Sequence, residues 1–316
     1  MPAFILRRII SLVFVLLIAV TVTFCLLRMA PGSPFVLGEK QASPETIAAQ
    51  ERKFDLDGPI WWQCARYLGL AKGNSGKRGG LLQGELKPCL KYKDRTVAEL
   101  IVQALPVSAI LGASALLLST AIGVWLGSMA AIRKHTWVDS VTMLGALATI
   151  SVPTFVTGPA LVLVFSLWLG WLPVGGWNGL ASLVLPSVTL AGPFIAYIAR
   201  LSRTSVLEVL NQDFVRTAHA KGLSERRVLY RHVLKVGILP VVSFLGPLAA
   251  NLLTGSLVIE SVFSLPGMGG FFVNSVLSRD VFLCCGSVTV YCTLLVSMNL
   301  VVDIAYKFLD PRIRLE

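Results

Sequence analysis

The side chains best suited to acid–base or metal chemistry near neutral pH are three histidines, His135, His219 and His232. Each falls in a charged stretch between apolar runs, where the ordinary reading is a solvated loop side chain. No H-E-x-x-H zinc pattern, G-x-S-x-G nucleophile turn or histidine–carboxylate cluster lies within the apolar runs. An intramembrane enzyme would need a buried acid–base or metal set that these residues do not supply. Neither catalytic residues nor a metal or cofactor are therefore expected. One stretch, Gly73-Asn74-Ser75-Gly76-Lys77-Arg78-Gly79-Gly80, comes near a phosphate loop. A G-x-x-x-x-G-K-[ST] pattern would require glycine at Ala71 and Ser or Thr at Arg78. ATP binding by this chain is not expected, and the stretch reads as a flexible turn.

The chemistry that the charges do support is docking. From Ser140 to Ala199, sixty consecutive residues carry no Asp, Glu, Lys or Arg. The next segment, Arg200 to Lys235, then holds eight Lys/Arg against three acids. A compact cationic segment between apolar runs offers a handle to a soluble partner. Within it Asp213 is placed to cap a short helix over Phe214–Lys221, and Gly222 supplies the left-handed residue that ends it. Ser224 can cap a second helix with Glu225 in its positive first turn. The segment reads as an elbow of helix, glycine turn and helix. Ala218 and Gly222, four apart, would leave a bare face on which a partner's groove could close. The plainer reading is an ordinary basic loop.

The elements that position this elbow are membrane spans. Of 316 residues, 55% are hydrophobic and only 14% charged, against roughly 25% charged in soluble domains. A formal net charge of +11 could suggest nucleic acid, but the basic residues flank apolar runs, where lipid headgroups account for them. Nucleic acid is not an expected partner; the lipid bilayer is. A bilayer core of about 30 Å needs about 20 helical residues. Ile9–Leu27 and Leu105–Ile132 each supply one span. The sixty-residue run must hold two, because Trp171-Leu172-Pro173-Val174-Gly175-Gly176-Trp177-Asn178-Gly179 is turn chemistry with interfacial tryptophans. A fifth span is expected over Gly237–Phe263 and a sixth over Cys284–Phe308, six in all. Ile9–Leu27 is too long for the apolar core of a cleaved signal, so a retained anchor is expected.

Orientation follows from the short loops. With the N-terminus inside, Arg7, Arg8, Arg133, Lys134, the Arg200–Lys235 segment, Arg312 and Arg314 all lie in the cytoplasm, and the short outer loops keep Arg279 alone. The expected organisation is a tail and first helix over 1–27, an extracytoplasmic insertion over 28–103, and a five-helix core over 104–316 with the cytoplasmic segment 200–236. In the insertion, Ser43 and Pro44 open a helix running to Phe54, and Trp61–Leu68 reads as an amphipathic stretch near the headgroups. Cys64 and Cys89 also fall there. An oxidising exterior permits a bridge contributing about 3 kcal/mol; two free thiols are the alternative.

Ionisable residues near the spans are few. Glu260 and Asp303 would face a polar interior, or else reach the interface or a neighbouring backbone. The lack of a carboxylate chain argues against an ion-driven carrier. Gly123, Gly127 and Ala131 put a flat stripe on the second helix. Pro153, Pro159, Pro186 and Pro193 are expected to interrupt the third and fourth helices. Such breaks are tolerated only against protein or a water-filled cavity. Glu260, Pro153 and Pro193 are thus candidate pathway or helix-interface positions.

These residues reach a family. Arg216-Thr217-Ala218-His219-Ala220-Lys221-Gly222 resembles the "EAA loop" of inner-membrane permeases of ATP-binding-cassette importers, in the R-T-A-x-A-K-G form of the peptide-importing branch. Phe4–Arg8, Leu27–Pro34, Leu172–Trp177 and Val258–Gly269 are similar to further signatures of that branch. The resemblance implies an all-α polytopic membrane protein with the type I importer-permease fold, in a bacterial inner membrane with both termini cytoplasmic. It implies a homologous second permease, two cytoplasmic ATPases that bind the ATP, and an extracytoplasmic peptide-binding protein. Arg216, Thr217, Ala218, Ala220, Lys221, Gly222, Arg226 and Arg227 would contact the ATPases. Oligopeptides would be the substrate. Sister systems for dipeptides, nickel or glutathione share the elbow, whereas a self-contained channel or secondary carrier would leave it unexplained.

Overall fold

In a computed structural model, residues 2–32, 34–35, 43–76, 79–92 and 94–309 are described. Among them secondary structure is helical throughout, with one isolated antiparallel bridge, Pro88 to Thr96. The helices are α1 (Pro2–Met29), α2 (Pro44–Lys53), α3 (Ile60–Leu68), α4 (Val97–Ile132), α5 (Trp137–Ser151), α6 (Thr154–Leu161), α7 (Ala181–Leu210), α8 (Asp213–Ala220), α9 (Glu225–Val228), α10 (Leu234–Gly237), α11 (Leu239–Leu253), α12 (Leu257–Val262), α13 (Gly269–Leu277) and α14 (Val281–Leu309). Wider π turns at Val162–Trp168 and Leu229–Val233 extend α6 and link α9 to α10.

Four helical stretches are long and apolar enough to cross a membrane, namely Ile10–Met29, Val97–Ile132, Ala181–Leu210 and Val281–Ile304. Two bent pairs bring the number to six if each is one span. Trp137–Ser151 meets Thr154–Trp168 at 103°, and Glu225–Gly237 meets Leu239–Leu253 at 47°. The sharper bend falls at Val152–Pro153, where the proline's missing N–H and its restriction on the preceding residue end α5. Pro186 and Pro193 behave otherwise: both lie inside α7, which runs on past them, so neither interrupts it as expected.

The fifth expected span also differs. Instead of one helix over Gly237–Phe263, α11 stops at Leu253 and α12 starts afresh after Ser256, whose hydroxyl accepts from the Ile259 N–H at 3.5 Å. Gly255, at φ +98°, occupies a left-handed conformation that an L side chain resists, and so marks the break. Residues 200–210, expected in a cytoplasmic loop, are the last turns of α7. The helix that follows the insertion begins at Val97, earlier than Leu105.

The chain divides into two compact units. One, Ile9–Pro106 with Gly267–Thr293, has its own apolar core. Tyr67 stacks between Phe24 and Phe282, ring centroids 5.6 Å from each. On α3 the buried face is Gln63, Cys64, Tyr67 and Leu68, while Trp61 stays exposed. Ser43 caps α2 by accepting from Thr46, as its position predicts, with Pro44 in the first turn. The start of the Gly73–Gly80 turn is tied down at Asn74. The Asn74 N–H donates to Asp55 at 2.7 Å, and its side-chain amide donates to Asp57 and to the Arg52 carbonyl, both at 2.8 Å. Burial raises the Asp57 pKa, but the hydrogen bonds from Asn74 and Arg66 outweigh it and leave the carboxyl below its usual range. Lys77 and Arg78 lie outside the described residues.

Cys64 and Cys89 are both free and both buried, so no bridge joins them. The Cys89 thiol donates to Asp280 at 2.8 Å; burial and the adjoining carboxylate push its pKa up to about 12. Asp280 is fully buried and takes four donors. Leu283 N–H bonds its Oδ1 at 3.0 Å, while Cys89, Leu90 N–H at 2.8 Å and Lys91 N–H at 3.0 Å share Oδ2. This carboxylate thus caps α14 and fastens the 89–91 segment to it.

The other unit is built on Val107–Pro266 with the two ends of the chain. Here α4 and α7 approach closely at glycines. A Cβ built on Gly127 would lie 2.2 Å from the Ala199 carbonyl oxygen, and one on Gly123 2.8 Å from Ile198. The expected flat stripe is therefore a helix contact. Asp303 pairs with Arg8 in this unit.

Candidate functional site

The elbow takes its shape from local rules. α8 begins at Asp213, so that residue sits in the first turn instead of capping it, and Gln212 occupies the cap position. There Asp213 faces the positive end of the helix, and Arg216 follows one turn on at 3.8 Å, with both side chains exposed. The C-terminal end is a complete Schellman turn. Gly222 N–H donates to His219 at 2.9 Å, Leu223 N–H donates back to Ala218 at 3.3 Å, and Gly222 holds φ +75°. α9 then starts after Ser224, which stands at the cap position without a side-chain bond, and Glu225 opens it.

What anchors the elbow is a small apolar cluster. Val215 and Ala218 of α8, Val228 of α9 and Val233 pack with Val206 and Val209 on the end of α7 and with Ala131 on the end of α4. Alternation along α8 produces this arrangement, because positions 215 and 218 share a face while 213, 216, 217 and 220 point away. Ala218 is only 6% exposed. The bare outward face expected from Ala218 and Gly222 is therefore not formed: Ala218 belongs to the core, and Gly222 alone is exposed. Arg216, Thr217, Ala220, Lys221, Arg226 and Arg227 are all exposed. The elbow is thus a cationic ridge fixed to two long helices by a valine-rich base.

Two aromatic residues on this ridge escaped the sequence reading. Phe214 is 43% exposed and Tyr230 70% exposed. Large apolar groups among solvated arginines are the kind of anchor that fills a partner's pocket. Their signal was an aromatic at a surface position of a short polar helix, which by itself is weak.

The remaining candidates divide. Glu260 lies on α12 and is 3% exposed, and the Ser108 hydroxyl of α4 donates to it at 2.7 Å. It does not reach an interface with solvent; it joins α12 to α4 inside the unit. α12 also holds the glycine turn, since Gly176 N–H donates to the Phe263 carbonyl at 2.8 Å. Pro153 is exposed at the 103° bend, whereas Pro193 is half-buried in α7. Among the described residues no group of three or more His, Cys, Asp or Glu side chains is arranged to hold a metal ion.

Residues 123–315, which contain the elbow and its base, match the family model of a binding-protein-dependent transport system inner membrane component. The chain belongs to that family. Residues 1–112 match the N-terminal model of the same kind of membrane component. The oligopeptide transport system permease protein OppB of Salmonella typhimurium is 44% identical over 316 residues, covering 99% of this chain and all of the relative. The protein of that name from Haemophilus influenzae is 42% identical with the same coverage. The dipeptide transport system permease protein DppB of Bacillus subtilis is 35% identical, covering the whole of this chain and 99% of its own. A solved chain from an amino acid ABC transporter with histidines superposes with a TM-score of 0.51 at 14% identity, covering 67% of this chain and 94% of that one. At that identity the likeness speaks for the fold. As a member of this family the chain is a multi-pass inner-membrane transport component.

Proposed function

We propose that this chain is the permease subunit of an ATP-binding-cassette importer for oligopeptides, forming half of the membrane path. The observation that carries the reading is the elbow: a cationic ridge bearing Phe214 and Tyr230, fixed by its valine base to the ends of α4 and α7. Such a ridge gives a soluble subunit something to grip, and the base makes that grip a lever on long apolar helices. Arg216, Thr217, Ala220, Lys221, Gly222, Arg226 and Arg227 form the outward contact with a cytoplasmic ATPase, and Ala218 holds the ridge from beneath. The ATPases bind and hydrolyse ATP; this chain performs no chemistry of its own. The full assembly comprises a homologous second permease, two such ATPases and an extracytoplasmic peptide-binding protein. Both termini and the elbow face the cytoplasm, and residues 28–103 lie outside.

Oligopeptides are favoured over dipeptides by the 44% full-length identity to an oligopeptide permease against 35% to a dipeptide permease. The test is purification from the native membrane through a tag on this chain. Recovery of a second permease with two ATPases, and stimulation of hydrolysis by peptide-loaded binding protein, is the expected result. Recovery of this chain alone, without any ATPase, would overturn the reading.

A further inference from the structure

One ion pair in the permease unit lies outside everything assigned so far. Asp139, in the first turn of α5, is 5% exposed. Arg203 of α7 grips it with both arms, Nε to Oδ1 at 2.5 Å and Nη2 to Oδ2 at 2.7 Å. The same Oδ2 accepts the backbone N–H of His135 at 3.1 Å. His135 itself holds φ +62°, a left-handed conformation that histidine adopts more readily than most side chains, and its N–H ties the α4–α5 loop to this carboxylate. One buried acid therefore gathers the α4–α5 loop, α5 and α7.

The position of the pair along each helix is informative. Arg203 stands one turn before Val206 and two before Val209, the α7 residues that form the base of the elbow. Asp139 opens the helix that leads to the 103° bend at Val152–Pro153. Beyond Asp139 neither α5 nor α6 contains an ionisable residue, so the rest of their contact with α7 is apolar or hydroxyl. Lipid tails are as apolar as the helices, so no hydrophobic force holds α5 against α7 and register there rests on packing alone. A bidentate, desolvated pair fixes it. Buried ion pairs add little net stability compared with an apolar substitute, and their best-attested use is fixing register.

We propose that Asp139 and Arg203 are positioning residues of transport, the tie through which movement of the elbow at the end of α7 is passed to α5 and its bend. This rests on the permease reading above. Movement of α8 and α9 by an ATPase shifts the end of α7 through the valine base. With the tie intact, α5 moves with α7 as one body. With it broken, α7 moves and α5 lags, so hydrolysis proceeds without opening the path.

The experiment uses the complete complex in proteoliposomes, with loaded binding protein and a labelled pentapeptide, and reads peptide imported per ATP hydrolysed. Asp139→Asn and Arg203→Lys are compared with wild type, after the amount of assembled complex has been measured for each. The expected result is peptide-stimulated hydrolysis near wild type with a transport ratio lowered about fivefold or more, the low end of ordinary coupling between sites. That full loss is expected of Asp139→Asn; Arg203→Lys keeps the charge but loses the fork, and its ratio falls between those of wild type and Asp139→Asn. Hydrolysis and uptake declining together, in proportion to assembly, would mean that the pair is structural only and would overturn the proposal. Should Asp139→Asn fail to assemble, Arg203→Lys decides, and a wild-type ratio there rejects the tie. A wild-type complex that imports nothing sinks the permease reading and the tie with it.

Discussion

Replacing Gly222 separates the shape of the elbow from its use. The residue holds φ +75° at the end of α8, and a Cβ built there meets nothing within 4 Å. No clash follows substitution, so the local cost of Gly222→Ala is the conformational one alone, about 1 kcal/mol for an L residue in the left-handed region. Gly222→Asn costs less, because asparagine tolerates that region. Gly222→Leu carries a backbone cost similar to alanine's and adds a branched side chain on the exposed side of the ridge. If the strain were relieved by unwinding, the Gly222–His219 and Leu223–Ala218 bonds would be lost with it. The three variants should therefore insert and accumulate alike, with Asn and Ala close to wild type in ATP-driven peptide uptake. Leu should lose uptake and hold the ATPase weakly on purification. Uptake with Gly222→Leu at the wild-type rate, at matched amounts in the membrane, would refute the assignment of this ridge as the ATPase contact.

Other consequences follow from the same geometry. Gly127→Ala forces a Cβ toward the Ala199 backbone and should lower stability by roughly 1–3 kcal/mol, whereas Gly145→Ala meets nothing within 4 Å; thermal unfolding in detergent compares them. Asp280→Asn removes the charge to which four donors converge and should cost on the order of 2 kcal/mol or more, measured the same way. Because the Cys89 thiol is raised from about 9.0 to about 12 on folding, the unfolded chain loses this proton first. Its contribution is complete below pH 9 and fades as pH rises toward 12. Both Cys64 and Cys89 should resist a maleimide at neutral pH and take it after denaturation without reductant; failure to label then would reveal a bridge. In a background lacking the native cysteines, a probe cysteine at Ser75 should react from outside and one at Ser224 should not.

The long apolar helices were legible because length and hydropathy alone specify them: α1, α4, α7 and α14 all lie where uncharged runs occur. The elbow's turn was legible too, since a glycine after an amphipathic helix leaves few alternatives. What sequence could not supply was facing. Ala218 reads as a small residue on a docking face and proves to be the floor of that face, because only packing against Val206 and Val233 reveals which side of α8 is inward. Prolines misled in one direction: Pro153 breaks a helix as expected, yet Pro159 is absorbed within α6 and Pro186 and Pro193 within α7, and neighbouring packing decides between these outcomes. Asp139 and Arg203 are sixty-four positions apart, each ordinary in its own loop or helix end, and become a pair only in three dimensions. Asp280 drew no reading from the sequence at all, and its role as a buried cap shows only in the donors that converge on it.

The central claim is that this chain moves peptide only as part of an ATP-driven assembly gripped at Arg216–Arg227. The most direct measurement is uptake of a labelled pentapeptide into proteoliposomes holding this chain with or without its second permease and ATPases, in the presence and absence of ATP. The account predicts accumulation only in the complete assembly with ATP and loaded binding protein. Entry of peptide through this chain alone, without ATP, would contradict it and identify a self-contained channel or carrier.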